Sequence, residues 1–339
     1  MIDSRLELPG RTPWLKTLAL VCLTAVMLSG CTREGTGPEV SVTVPSGASF
    51  RAITDSLTAG GLVARPLFFR IYARLRKDDA RVRSGRYVFR QGDGWPNLLD
   101  ALVAGRVATT SLTIPEGFTL KQMAERIALL AEVPADSVEG VLTDAEAHTR
   151  WGVPGPGLEG YLFPDTYRFA DGTRVDEIIR VMTDAYKAYW TDARRGQLDG
   201  LELDERALVT LASIVQAEAR VVDEMPSIAS VYHNRVKKGW PLEADPTVLY
   251  ALGGHRDRLL FAAIDSVADN PYNTYRQPGL PPGPIGAPGA DALDAALEPA
   301  DEPYMFFVAS PDGRHVFSRT LAEHNRAIAR VRRNRNNSP

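Results

Sequence analysis

Hydrophobic and polar positions along the chain follow three distinct patterns. From Thr17 to Gly30 the residues are almost continuously apolar (Leu18, Ala19, Leu20, Val21, Cys22, Leu23, then Ala25 to Leu28), with Arg11 and Lys16 ahead of them. That length is typical of a secretory hydrophobic region and short against the ~20 apolar residues of a bilayer span. Further on, short β-prone runs stopped by Pro-x-Gly give way to segments whose apolar residues recur every three to four positions. Val42-Thr43-Val44-Pro45-Ser46-Gly47 leads to Ser49 and then Ile53 and Leu57, and the pattern returns from position 112 as Leu112-Thr113-Ile114-Pro115-Glu116-Gly117, Thr119, Met123 and Ile127. Each copy predicts a strand, a turn and a helix N-capped by Ser49 or Thr119. Between the copies, Gly85 to Phe89, then Gly92-Asp93-Gly94, then Leu98, Leu99, Leu102 and Val103 before Gly105 predict another strand, turn and helix.

In the second half, Leu208, Leu211, Ala212, Val215 and Ala219 trace one helical face from Glu205 to Arg220, with Asp204 as N-cap. A further helix begins near Pro226, carries Ile228, Val231, Tyr232 and Arg235 on one face, and closes at Gly239. Asp245-Pro246 turns into a short helix. Tyr304 to Val308 and His315 to Phe317 flank Asp312-Gly313 as a hairpin, and a helix follows from Leu321.

Composition narrows the function more than the fold. The 339 residues are 44% hydrophobic and 24% charged with a formal net charge of -3, which excludes general disorder and fits about two domains. A balanced charge with no long single-sign block before the basic tail at Arg330 offers no field for nucleic acid. The two cysteines, Cys22 and Cys31, lie near the start, so no disulfide framework or cysteine zinc site is expected in the body. No Gly-x-Ser-x-Gly elbow, Walker loop or His-Glu-x-x-His stretch occurs, and the five histidines are scattered. These patterns point away from metal and cofactor, toward carboxylate chemistry.

Glu218 is the candidate acid. It lies three residues after Val215, at the edge of the apolar stripe and in the last helical turn. An apolar surround and the negative end of the helix dipole both disfavour the charged form, so its pKa should rise, as general acid catalysis requires. The same pattern also fits a Glu that closes a buried face and reaches water. Asn234 and Arg235 are donors able to hold a sugar or to pair locally. Tyr161-Leu162-Phe163-Pro164-Asp165-Thr166-Tyr167 after Glu159, and Tyr272-Asn273-Thr274-Tyr275 before the proline-rich Gly279 to Ile285, combine aromatic rings with rigid backbone. They suit a sugar cleft and equally suit core tyrosines and structural loops.

Several resemblances add to this reading. Leu28-Ser29-Gly30-Cys31 resembles the bacterial lipobox, which implies cleavage before Cys31 and acylation of its thiol, an uncleaved single-span anchor being the alternative. The strand-helix-helix-strand pattern of the first copy resembles the LysM module, which grips N-acetylglucosamine chains. The motifs Glu159 to Tyr167, Ala212-Ser213-Ile214-Val215-Gln216-Ala217-Glu218, Ala229 to Arg235, Asp245-Pro246-Thr247-Val248, Tyr272 to Tyr275 and Gly279 to Ile285 together resemble the MltG (YceG-like) family of endolytic murein transglycosylases, from about Val42 to Arg330. That family commonly has an acidic residue where this chain has Gln216.

The resemblance implies an α+β protein: a signal sequence or anchor over 1–30, a tether over 31–40, a small LysM-like domain over 41–110 and a mixed α/β YceG-like catalytic domain over 111–335. It implies membrane attachment with the catalytic domain outside the cytoplasm, the plasma membrane favoured, and murein glycan strands and cell-wall synthases as partners. It aligns Glu218 with the family's catalytic Glu, and Asn273, Tyr275, Asp165, Tyr161, Asn234 and Asp245 are taken with it as substrate-positioning residues. The implied reaction uses one carboxyl to protonate the MurNAc-GlcNAc oxygen and then deprotonate the muramic C6 hydroxyl, leaving a 1,6-anhydro end and consuming no water. Two rival readings are a murein hydrolase with Asp165 or Asp245 as second carboxylate and a non-enzymatic wall-binding lipoprotein.

Overall fold

The computed structural model describes residues 34–254 and 259–337. The apolar run, the lipobox-like motif and Cys31 lie outside them. Among the described residues no helix is long and apolar enough to cross a membrane. The chain divides into two compact units, one ending at Thr110 and one beginning at Ser111.

In the first unit the order is β1 (Glu39–Val44), α1 (Phe50–Ala59), α2 (Pro66–Leu75), β2 (Gly85–Arg90) and α3 (Trp95–Ala104). Strands β1 and β2 pair antiparallel, with Val42 opposite Tyr87 and Val44 opposite Gly85. Alternation puts Val42, Val44, Tyr87 and Phe89 on the buried side, where Ile53, Leu57, Phe69, Leu98, Leu99 and Leu102 complete the core. Ser49 caps α1 by accepting from the Ala52 N–H, and α3 stops at Gly105, whose left-handed backbone suits a residue without Cβ. The order β1-α1-α2-β2 is the strand-helix-helix-strand order expected of this region. One feature departs from the sequence reading. Residues 35–38, expected to belong to a tether, are pinned to the unit: Gly35 N–H donates to Asp93 Oδ1 at 2.8 Å, Gly37 N–H to the Gln91 carbonyl at 3.0 Å and Gln91 N–H to the Pro38 carbonyl at 3.0 Å.

Strand β3 (Thr109–Thr113) carries the chain into the second unit, where α4 (Leu120–Ala131), α5 (Ala135–Leu142) and α6 (Ala147–Trp151) precede β4 (Thr166–Ala170), the partner of β3. Then come α7 (Val175–Tyr189), α8 (Asp192–Asp199), α9 (Glu205–Glu218), a 3-10 turn (Val222–Glu224), α10 (Met225–Lys237), α11 (Asp245–Ala251), α12 (Phe261–Ser266) and α13 (Ala290–Leu297). The antiparallel hairpin β5 (Phe306–Ala309) and β6 (His315–Ser318) and the helix α14 (Leu321–Asn337) end the described chain. The protein is α+β.

Helix α9 is the central element of this unit. Asp204 caps it as expected, accepting from the Ala207 N–H at 2.7 Å. Burial runs unbroken from Leu208 to Val215 rather than along one stripe, because α10 and α13 pack against it and the Ile285 segment covers another side. Its polar residues are satisfied locally: Thr210 Oγ1 donates to the Arg206 carbonyl, and Ser213 Oγ donates to the Thr210 carbonyl while accepting from the Ile285 N–H.

The second copy of the repeat is closed by a reciprocal cap. Thr119 accepts from the Gln122 N–H, and Gln122 Oε1 accepts from the Thr119 N–H at 2.9 Å. Thr119→Ala is expected to lower stability by about 1 kcal/mol, a fall in midpoint of roughly 2–4 °C for a unit of this size, read by thermal circular dichroism. An unchanged midpoint would show that the cap does not stabilise α4.

Candidate active site

Glu218 is the last residue of α9, and Ala219, in extended conformation, turns the chain away. Its half-buried carboxyl meets the next helix of the core. Tyr232, buried on α10, donates its hydroxyl to Glu218 Oε1 at 3.0 Å, and its ring stands edge-on to Phe307 of β5 at 5.8 Å between centroids. Burial pushes the Glu218 carboxyl up to about 7; the Tyr232 hydrogen bond works against that rise, and the nearby Asp245 carboxylate adds to it. With Oε1 occupied by the phenol, Oε2 is the oxygen left to exchange a proton.

Asp245 opens α11. It is exposed and accepts from the Tyr275 hydroxyl at 2.6 Å. Burial and this bond to Asp245 raise the Tyr275 pKa well above the phenol range, so Tyr275 stays a donor. Thr274 supports the same corner from within, its Oγ1 accepting from the Ala244 N–H at 3.0 Å and lying 2.8 Å from Thr247 Oγ1.

Beside this constellation lies a cleft of about 770 Å³, within the size range of small-ligand sites. Ala217 and Pro246, the neighbours of Glu218 and Asp245 in sequence, both line it, together with Leu120, Gln122, Glu159 and Tyr250. Glu159 accepts from the Leu120 N–H at 3.1 Å and from the Tyr250 hydroxyl at 3.1 Å. Burial pushes this carboxyl up to about 8 against both hydrogen bonds. Gly160 follows it at φ +84°, where a Cβ would lie 2.5 Å from Pro284 Cβ, so the tight turn that aims Glu159 inward admits only glycine. Among the described residues no group of three His, Cys, Asp or Glu side chains is placed to hold a metal ion.

The YceG-like family profile matches residues 42–330. The chain belongs to the YceG-like family. It is 33% identical over 304 residues to a protein of Bacillus subtilis (strain 168) named endolytic murein transglycosylase, covering 85% of this chain and 83% of that one. It is 29% identical over 324 residues to a protein of the same name from Streptococcus pneumoniae (strain D39), covering 86% of this chain and 58% of the longer relative. A crystal structure of a putative yceG-like protein from Listeria monocytogenes superposes with a TM-score of 0.58 at 31% identity, over 86% of this chain and all of that one.

Set in this YceG-like fold, the residues singled out from sequence separate into two groups. Glu218, Asp245 and Tyr275 are brought to one place, with Asp245 acting electrostatically on Glu218 and Tyr275 bound to Asp245. Three others spend their polar groups on partners within the fold. Tyr161 is fully buried, edge-on to Tyr186 at 5.2 Å, and donates to the Gly155 carbonyl. Asn273 is fully buried and spends its amide on the Ile264 and Val267 carbonyls and its oxygen on the Tyr275 N–H, fixing the loop that presents Tyr275. Asn234 donates to the Glu302 and Tyr304 carbonyls, and Arg235 to those of Met305, Pro241 and Leu242, so both clamp the approach to the hairpin. Asp165 is exposed, caps its own turn through the Thr166 N–H and accepts from the Ile114 N–H through its carbonyl. Gln216 accepts through Oε1 from the Gly289 N–H at the start of α13.

Tyr232 and Glu159 are the site residues that sequence reasoning passed over. Nothing in the spacing of Tyr232 pairs it with Glu218 on another helix. Glu159 did carry a signal: it is a lone acid between Leu158 and Gly160 in an otherwise apolar, aromatic segment.

Two titrations follow. Tyr232→Phe removes the bond that favours the ionised form, so the Glu218 pKa should move above about 7; Asp245→Asn removes a repelling charge and should move it below, each measured by NMR titration of the side chain, and shifts of the opposite sign would refute the assignment. Glu159 has a folded-state pKa of about 8 against 4.5 for an unperturbed Glu. A raised carboxyl is fully compatible with the fold below pH 4.5 and costs stability as pH rises toward 8. Glu159→Gln should therefore gain on the wild type across that window, the melting temperatures separating progressively as pH rises toward 8; a gap that stays constant with pH would contradict the shift.

Proposed function

We propose that this chain is an endolytic murein transglycosylase in which Glu218 is both general acid and general base. The observation that supports it best is the half-buried Glu218 carboxyl at the end of α9, held through Oε1 by Tyr232, its pKa pushed up to about 7 by burial, as a general acid near neutral pH needs. In the first half-reaction, Glu218 gives its proton to the oxygen joining N-acetylmuramic acid to N-acetylglucosamine, and the bond to the anomeric carbon breaks. The freed carboxylate then takes the proton of the muramic C6 hydroxyl as that oxygen closes on the same carbon. The proton count balances: Glu218 ends protonated, the released sugar has a new hydroxyl, and the other end is a 1,6-anhydro ring. Asp245 and Tyr275 serve as electrostatic and positioning groups, and the cleft bounded by Glu159 and Tyr250 takes the glycan beside the cut.

A hydrolase needs a second carboxylate roughly 5 to 9.5 Å from the first to attack or to activate water. Asp245 is the available acid, but the Tyr275 hydroxyl already engages its Oδ1. We further place the activity outside the cytoplasm, at a membrane to which Cys31 or the Thr17 to Gly30 run attaches the chain. There it would terminate the elongation of nascent strands made by cell-wall synthases, with unit 1 as a LysM-like glycan-binding module.

Mass spectrometry of purified sacculi separates these readings. Wild type should release anhydro-muropeptides, about 18 Da lighter than hydrolysed ones, and Glu218→Gln should lose them by about 10²- to 10⁴-fold. Hydrolysed ends would favour the two-carboxylate mechanism, and output unaffected by Glu218→Gln would refute the role of Glu218.

A further inference from the structure

Helix α2 has more apolar surface than its core uses. Phe69 and Ala73 point inward and are fully buried, the Phe69 ring lying 5.9 Å from Phe50 and 5.7 Å from Trp95 between centroids. At 100° per residue, Leu67, Ile71 and Leu75 fall on the opposite side at intervals of four, with Phe68 beside them. They are 58%, 47%, 67% and 57% exposed in that order. One exposed leucine is ordinary, whereas four large apolar side chains on one side of a ten-residue helix form a patch. Arg70 and Arg74 border the stripe. With Arg51 they line a groove of about 450 Å³ that also contains Leu67, Ile71 and Leu75, and whose lining includes a single acid, Asp79.

The point where the chain enters the unit adds a second, independent observation. Gly35 is fixed by its bond to Asp93, so only the five steps from Gly30 to Gly35 separate the apolar run from the folded unit, a reach of at most about 18 Å. The entry lies beside the approach to α2: Gly37 donates to the Gln91 carbonyl at 3.0 Å, and a Cβ on Gly61, five residues before Pro66, would lie 3.2 Å from the Gln91 side chain.

The geometry points to a membrane-docking surface in which the outward face of α2, Leu67, Phe68, Ile71 and Leu75, enters the headgroup layer of an anionic bilayer with Arg70 and Arg74 against the lipid phosphates. An apolar face edged by cations binds at such an interface through buried area plus attraction to anionic lipid. The short entry keeps this face within reach of whatever surface holds the apolar run. The inference does not rest on the transglycosylase reading.

All residues of both apolar cores follow Glu34, so a chain beginning at Glu34 keeps what holds the fold and takes the apolar run out of the measurement. Its probe is vesicles of phosphatidylglycerol and phosphatidylethanolamine, with phosphatidylcholine vesicles for comparison. The chain should sediment with the anionic vesicles, less so as salt rises. Leu67→Ser/Ile71→Ser/Leu75→Ser should weaken partitioning at least about tenfold with an unchanged thermal melt, since all three side chains are exposed. Arg70→Glu/Arg74→Glu should weaken binding to the anionic vesicles alone. Absence of wild-type binding, or equal binding by the serine variant, would overturn the proposal. So would a concentration-dependent dimer in place of vesicle binding, abolished by the serine substitutions, which would make the face an interface between copies.

Discussion

The site depends on one arrangement, a carboxyl placed at the end of a helix whose middle turns are buried. Helix α9 has no solvent face from Leu208 to Val215, so the side chain at its terminus emerges half-buried beside core residues. Desolvation then raises the pKa, and a single phenol from the neighbouring helix limits that rise. Had α9 been an ordinary amphipathic surface helix, the same glutamate would sit near its unperturbed value and be ionised at neutral pH. The surrounding elements keep the helix dry and its end accessible: α10 brings Tyr232, the hairpin packs Phe307 on that ring, and α11 brings Asp245.

Around this point the chain invests polar groups in holding backbone. Asn234 and Arg235 bind carbonyls of the segment leading to the hairpin, Asn273 binds carbonyls of α12 and the turn after it, and Gln216 binds the start of α13. Each is a donor or acceptor whose loss would leave a buried backbone group unpaired, a cost of about 1–3 kcal/mol. They act at one remove, placing the loops from which Tyr275 and Asp245 reach the site. Glu159 is of the same kind but unusual in chemistry, since it ties α4 to α11 with a carboxyl that burial keeps largely protonated.

The two units solve different surface problems. The second buries its apolar residues around α9 and leaves a polar-edged cleft next to the acid. The first closes a small core between a two-stranded sheet and three helices, and one of those helices is apolar on the side its core does not use. Excess exposed apolar area is costly for a small unit in water, which is why a lipid surface is the occupant that accounts for both the leucines and the arginines.

Much of this was legible in the sequence because it is local. The repeat with its caps at Ser49 and Thr119, the glycine stop at Gly105, the Asp204 cap and the hairpin around Asp312-Gly313 follow from spacing and from residue types whose effect reaches only a turn or so. Six ordered motifs identified the family for the same reason, since rigid and aromatic residues keep their order. What only the tertiary structure decided is which side chains meet: that the middle turns of α9 are buried on every side, that Tyr232 and not Asn234 or Tyr161 touches Glu218, and that Glu159 and Tyr250 wall the cleft. Those pairings join residues 14 to 91 positions apart, and no local rule sets the angle at which one helix presents a side chain to the end of another; packing of the whole core does.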